Sequence, residues 1–164
     1  MTDEARKKRN ALGFLEMYPT FARWMAAIER DMEGHGQRPR FQEIWRSPED
    51  QLEAYRNGNS TVRYGFHNVT GKDGGKESLA TDVLDDDNPN RESVGYCLLL
   101  ASSARAHGCE TGILWGLDRK QRKMVNEAIM KRNWLADIKI GWDPCHVQIA
   151  GMSILAARLG KRPK

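Results

Sequence analysis

The 164-residue chain is poor in cysteine, poor in histidine and without a long apolar run. Cys97, Cys109 and Cys145 form an odd set with no CxxC spacing, which argues against a disulfide framework. No stretch approaches the roughly 18 apolar residues of a membrane span. The opening "MTDEARKKRNALGFLEM" is too charged for a signal-peptide core, so folding in the cytoplasm is expected. Internal repeats and low-complexity linkers are absent as well.

What is present describes a globular chain. Hydrophobic residues make up 40% and there are five tryptophans, enough for one core and against disorder. A single domain over 1–164 is expected, with an N-terminal helical segment (1–36), a central core segment (37–150) and a short C-terminal helix with a basic tail (151–164). The net charge of +4 favours anionic partners: nucleic acid, an acidic membrane surface or a cell-wall polymer.

The pattern predicts two helices before Gly34, broken at Tyr18–Pro19, with Thr20 as a cap and Trp24, Ala27 and Ile28 on one face. "SPEDQLEAYRNG" reads as a helix capped by Ser47, with Pro48 at its first position and Gly58 as its stop. Segments 60–66 and 79–84 have strand-like content and are expected to pair as a hairpin. A helix from about Asn90 to His107, a buried strand in "TGILWGL" and an Asp118-capped helix follow. "DIKIGWDPCHVQIA" mixes strand and turn. Strands and helices without regular alternation predict an α+β fold: a small antiparallel sheet packed with helices.

Four histidines exist. His35 and His107 sit beside glycines at helix ends, where a capping or cationic role suffices. His67 and His146 each have an aspartate within reach, Asp82 in "ATDV" and Asp143 in "DPCH". Two imidazoles and one carboxylate make a three-ligand zinc shell with the fourth position left for water, and a further carboxylate can act as general base. The plain alternative is hydrogen-bonded histidines with no metal. A set of Cys97, Cys109, Cys145 and His146 is a poorer metal reading, because it lacks knuckle spacing and places two ligands side by side.

At these residues the sequence resembles the zinc D-Ala-D-Ala carboxypeptidase (VanY-like) family, which includes phage L-alanyl-D-glutamate endopeptidases. The family pattern S-x-H-x-x-G-x-A-x-D is matched by "GFH" and "ATD", and its later D/E-x-x-H by "DPCH". "WRSPEDQLEAYRNGNS" and "HGCETGILWG" are similar to two further family segments, so the likeness runs from about Phe41 to Ile149. The resemblance implies one catalytic Zn²⁺ held by His67, Asp82 and His146, with Asp143 as base and Arg46 on a substrate carboxylate or the oxyanion. For Arg46 the alternative is a structural salt bridge. Gly65 stands where the family has serine, and fourteen residues separate His67 from Asp82 where the family's loop is commonly shorter. Which of Gly71, Gly74 and Gly75 matches the family glycine stays open, and an extra helical segment, roughly 118–134, precedes Asp143.

Lys72 and Lys76 of the long loop are candidate substrate contacts, the alternative being a solvated hairpin tip. Trp115 is a candidate contact too, although wall or core is the better reading for it, as for Trp142. "DDDNPN" (85–90) is a cap for the next helix or a weak calcium site. "DPCHVQ" resembles the Asp-x-Pro-His-Phe-Gln ending of phage endopeptidases more than the Glu-x-x-His of the dipeptidases. The resemblance therefore implies an endolysin that cuts the L-Ala–D-Glu bond of peptidoglycan stem peptides, expected as a monomer. Such an enzyme stays cytoplasmic until a holin releases it to the periplasm and cell wall. The C-terminal "ILAARLGKRPK" is a candidate weak contact with anionic membrane. A D-Ala-D-Ala carboxypeptidase is the alternative enzyme. A non-catalytic nucleic-acid-binding module is a weaker reading, as no basic reading helix is recognisable.

Overall fold

Two helices open the chain in the computed structural model, which describes residues 1–164: α1 (Asp3–Phe14) and α2 (Pro19–Gly34). Pro19 occupies the first helical position of α2, so the cap falls on Tyr18 rather than on Thr20. The buried row of α2 is Phe21, Met25, Ile28 and Met32, each completely buried. Trp24 lies at the margin of that row, over Gly108.

The sheet contains β1 (Pro39–Gln42), β2 (Ala80–Asp85), β3 (Cys109–Gly112) and β4 (Asp143–Ile149) in the spatial order β1-β2-β4-β3, antiparallel throughout. With helices α3 (Pro48–Arg56), α4 (Val94–Ala106), α5 (Arg119–Met130) and α6 (Ile154–Arg158) the fold is α+β, as expected. Period-two alternation in β4 sends Cys145, Val147 and Ile149 into the core and His146 and Gln148 to the other face. The core side is covered by α4, which packs on β3 and β4 and in turn meets α2.

The free edge of β1 is closed by side chains of α1. Arg6 and Asn10 donate to the Pro39 carbonyl at 2.8 and 3.0 Å, Arg9 donates to the Phe41 carbonyl at 3.0 Å, and Phe41 N–H donates to Asn10 Oδ1 at 3.0 Å. Backbone groups that would otherwise pair with another chain are thus satisfied internally.

Side-chain caps fix the starts of α3 and α5. Ser47 Oγ accepts from Asp50 N–H at 3.0 Å, and Asp118 and Gln121 form a reciprocal box at 2.8 and 3.1 Å. Several boundaries differ from the sequence reading. Segment 60–66 is turn and bend rather than strand, and β2 takes β1 and β4 as its partners. The strand in "TGILWGL" stops at Gly112, and α4 begins after the Ser93 cap rather than at Asn90.

"DDDNPN" neither caps that helix nor offers free carboxylates to calcium. Asp86 pairs with Arg38 at 3.0 Å, Asp87 with Arg38 at 2.7 Å, and Asp85 accepts from Asn88 Nδ2 at 3.1 Å. The loop between His67 and β2 closes on itself as a small hairpin through Thr70 and Lys76. It is tied to the C-terminal tail, where Arg162 donates to Glu77 Oε2 at 2.5 Å and to the Thr70 carbonyl at 3.0 Å.

Candidate metal centre

Asp82 and His146 are register partners across β2 and β4, so their side chains rise from the same face of the sheet. His67 arrives from a single 3-10 turn, Phe66–Asn68, and not from a strand. That turn is fastened to the segment after β1. Arg46 N–H donates to the His67 carbonyl at 3.1 Å, and buried Asn68 donates to the Arg46 carbonyl at 2.9 Å while accepting from Gly65 N–H at 2.7 Å. Support for His67 therefore comes from backbone contacts and the Asn68 amide, which hold the turn without a hydroxyl at position 65.

The hydrogen bonds fix both imidazole tautomers. His67 Nδ1 lies 2.8 Å from the Ile44 carbonyl, which can only accept, so Nδ1 carries the proton and Nε2 keeps its lone pair. Gln148 uses its amide nitrogen on Glu110 at 2.8 Å, which turns its oxygen towards His146 Nε2 at 3.0 Å. His146 Nε2 therefore donates, and Nδ1 is left facing the site.

Three donor atoms converge there. His67 Nε2 is 3.2 Å from His146 Nδ1, His146 Nδ1 is 3.3 Å from Asp82 Oδ1, and His67 Nε2 is 3.9 Å from Asp82 Oδ1. An ion bound tetrahedrally at about 2.0–2.1 Å places its donors about 3.3 Å apart. The three residues, with one donor atom each and those atoms all within 4.8 Å of one another, could hold a metal ion, and both spacing and donor chemistry fit.

Electrostatics agree. Burial, followed by the neighbouring His146, pushes His67 down to about 4, so it is a neutral imidazole near neutral pH. Burial also works to lower His146, yet the hydrogen bond and charge of Asp82 outweigh it and the net shift is upward. That position favours positive charge. Burial raises the Asp143 carboxyl to about 6, with Asp82 and Glu92 adding to the rise and His146 opposing it.

The centre opens into a cavity of about 510 Å³ lined in part by Glu43, Arg46, Gln51, Asp143, Trp115 and Gln148. The guanidinium of Arg46 is held by Glu43 and by Gln51 Oε1, the latter at 2.9 Å. It forms a structural ion pair and faces the cavity at once. Glu43 adopts a positive φ of 47°, a conformation that costs a non-glycine residue about 1–2 kcal/mol. The Trp115 ring packs 5.2 Å from both His146 and Trp142, forming one wall.

Lys72 and Lys76 do not line this cavity. Lys76 reaches Glu16 at 2.6 Å and lies over Trp45, and Lys72 borders a separate hollow beside Arg158 and Arg162. The hairpin fold of the loop turns both away. The cysteine metal reading is overturned as well: all three thiols are buried in the apolar core, and strand alternation puts Cys145 on the face opposite His146. Gln148, Glu110, Glu43 and the Ile44 carbonyl were not singled out from sequence. Only Gln148, two residues beyond His146 on a strand, carried a usable signal.

No family model matches the chain, and no curated protein matches it. Among solved structures, the crystal structure of the Serratia marcescens L-Ala D-Glu endopeptidase ChiX is similar, with a TM-score of 0.51 and 18% identity over 87% of this chain and 86% of that one. The likeness is one of fold.

Proposed function

We propose that this protein is a zinc peptidase that hydrolyses the L-Ala–D-Glu bond of peptidoglycan stem peptides. The observation that carries the reading is the convergence of His67 Nε2, His146 Nδ1 and Asp82 Oδ1 in one open cavity beside Asp143. Two imidazole nitrogens and one carboxylate are a usual catalytic zinc set, leaving one position free. The fold shared with an L-Ala D-Glu endopeptidase supports the choice of substrate. A lytic role for a phage, with release from the cytoplasm to the wall, belongs to the same proposal.

Zinc held by these residues would supply a Lewis acid and a bound water of lowered pKa. The protein's part is positioning and proton transfer. Asp143, raised to about 6, accepts a proton from water on its carboxylate and returns it to the departing amine. The water oxygen joins the carbonyl carbon, the C–N bond breaks, and a carboxylate and an amine result. Arg46, held by Glu43 and Gln51, presents a cation to a stem-peptide carboxylate. Trp115 and Trp142 wall the cavity against the peptide backbone.

Mass spectrometry of digested peptidoglycan tests the reading. New D-Glu amino termini are expected, lost with a chelator and restored by zinc. Release of terminal D-alanine alone would replace it with the carboxypeptidase reading, and no cleavage with any added divalent metal would sink the peptidase.

A further inference from the structure

The chain's charge is unevenly placed. Residues 118–139 contain seven Lys and Arg against three Asp and Glu, so this stretch equals the net +4 of the whole protein and the rest sums to zero. Elsewhere many cations are engaged. Arg6 meets Glu33 and Glu29, Arg38 meets Asp86 and Asp87, and Arg162 meets Glu77. On α5 the one contact with a carboxylate is Lys123 to Glu127 at 3.8 Å, while Arg119 and Lys120 are exposed with none and Arg122 is exposed and donates only to the Leu117 carbonyl at 3.0 Å.

Helix stability does not account for these cations. Arg119 and Lys120 occupy the first turn of α5, where the helix dipole is positive and lysine or arginine is unfavourable. The helix is held by its Asp118–Gln121 capping box and by Val125, Ala128 and Ile129, which face the core. The outward face is therefore free to be selected for something else.

Apolar side chains are exposed on this helix and in the turn after it as well. Met130 is 75% exposed and shares a shallow hollow with Arg119 and Lys123, and Leu135 in the following turn is 96% exposed. Cations with outward apolar side chains suit an anionic bilayer, whose headgroups take the charge and whose acyl boundary takes the methionine and leucine. Nucleic acid offers the phosphates but no matching place for the apolar side chains. We propose that α5 and the turn after it, Arg119–Leu135, dock the protein on an anionic phospholipid surface.

The test is co-sedimentation of the full chain with vesicles of phosphatidylcholine containing phosphatidylglycerol, beside vesicles of phosphatidylcholine alone and a DNA duplex. Binding is expected only to the anionic vesicles and to weaken as salt is raised. Arg119→Gln with Lys123→Gln should lower it about thirty-fold, at about tenfold per 1.4 kcal/mol and about 1 kcal/mol per cation. Met130→Ser with Leu135→Ser should lower it severalfold. All four positions are exposed and away from the cavity, so cleavage of soluble peptide should be unchanged in every variant. Equal binding to both kinds of vesicle, or vesicle binding untouched by either pair, would overturn the proposal. So would duplex binding tighter than vesicle binding with the serine pair without effect on either.

Discussion

Asp82 and His146 stand opposite each other on neighbouring antiparallel strands, with Oδ1 3.3 Å from Nδ1. The pairing register places the two side chains side by side, and a one-residue slip of either strand would turn its own member to the core face. Both therefore sit on the two central strands of the sheet. His67, on its fastened turn, is the third member.

Removing any of the three donors should abolish tight metal binding. Asp82→Ala or His67→Ala is expected to weaken affinity by more than the roughly 10–100-fold that loss of an outer partner costs. Competition with a chromophoric chelator measures this, and peptide hydrolysis should disappear with the metal. An Asp82→Ala protein that kept full affinity would remove Asp82 from the ligand set.

Asp143 should separate binding from chemistry. Asp143→Asn is expected to retain metal and to lose about 10²–10⁴-fold in kcat, the usual contribution of a general base. The sign of the pH dependence follows from its raised value. A base works only when deprotonated, so the rate should fall as pH drops through about 6, and a cation held at the neighbouring ligands moves that limb lower. If the residual activity of Asp143→Asn kept the same acidic limb, the limb would belong to another group.

Gln148 should act on the metal through His146. Gln148→Leu leaves the Nε2 proton without its acceptor and should lower metal affinity about 10–100-fold. Gln148→Glu restores an acceptor and should recover most of the loss. Thermal unfolding of the metal-free protein should change little in either variant, which distinguishes an effect on the centre from a general loss of packing.

Gly112 carries a steric requirement. A Cβ built there would lie 2.1 Å from the Asp143 carbonyl oxygen, at the bulge where β3 meets the start of β4. Gly112→Ala should therefore push β4 outward and destabilise the fold by about 1–3 kcal/mol or more. The melting temperature reports the stability loss, and reduced hydrolysis in the still-folded fraction reports displacement of Asp143.

Local signals in the chain settled the local structure. Ser47 with Pro48 and Asp50, and Asp118 with Gln121, announce their helices because a cap is made within three residues. His67, Asp82, Asp143 and His146 stood out in the sequence as candidate residue types in the order the resemblance implies, and the fold brings the donor atoms of His67, Asp82 and His146 together. Long-range pairing was not legible in the same way. Segment 60–66 looked like the partner of β2, whereas the partners are β1 and β4, because strand choice depends on which faces can be buried together. The lysines of the loop seemed close to the site by sequence, yet the hairpin carries them to Glu16 and to the C-terminal tail. The tautomer-setting partners, the Ile44 carbonyl and the Gln148–Glu110 pair, belong to three separate segments that only sheet register and one 3-10 turn bring together. Chemistry of the donors was written in residue identity, and their distances were decided by tertiary contact, where burial and register act over the whole chain.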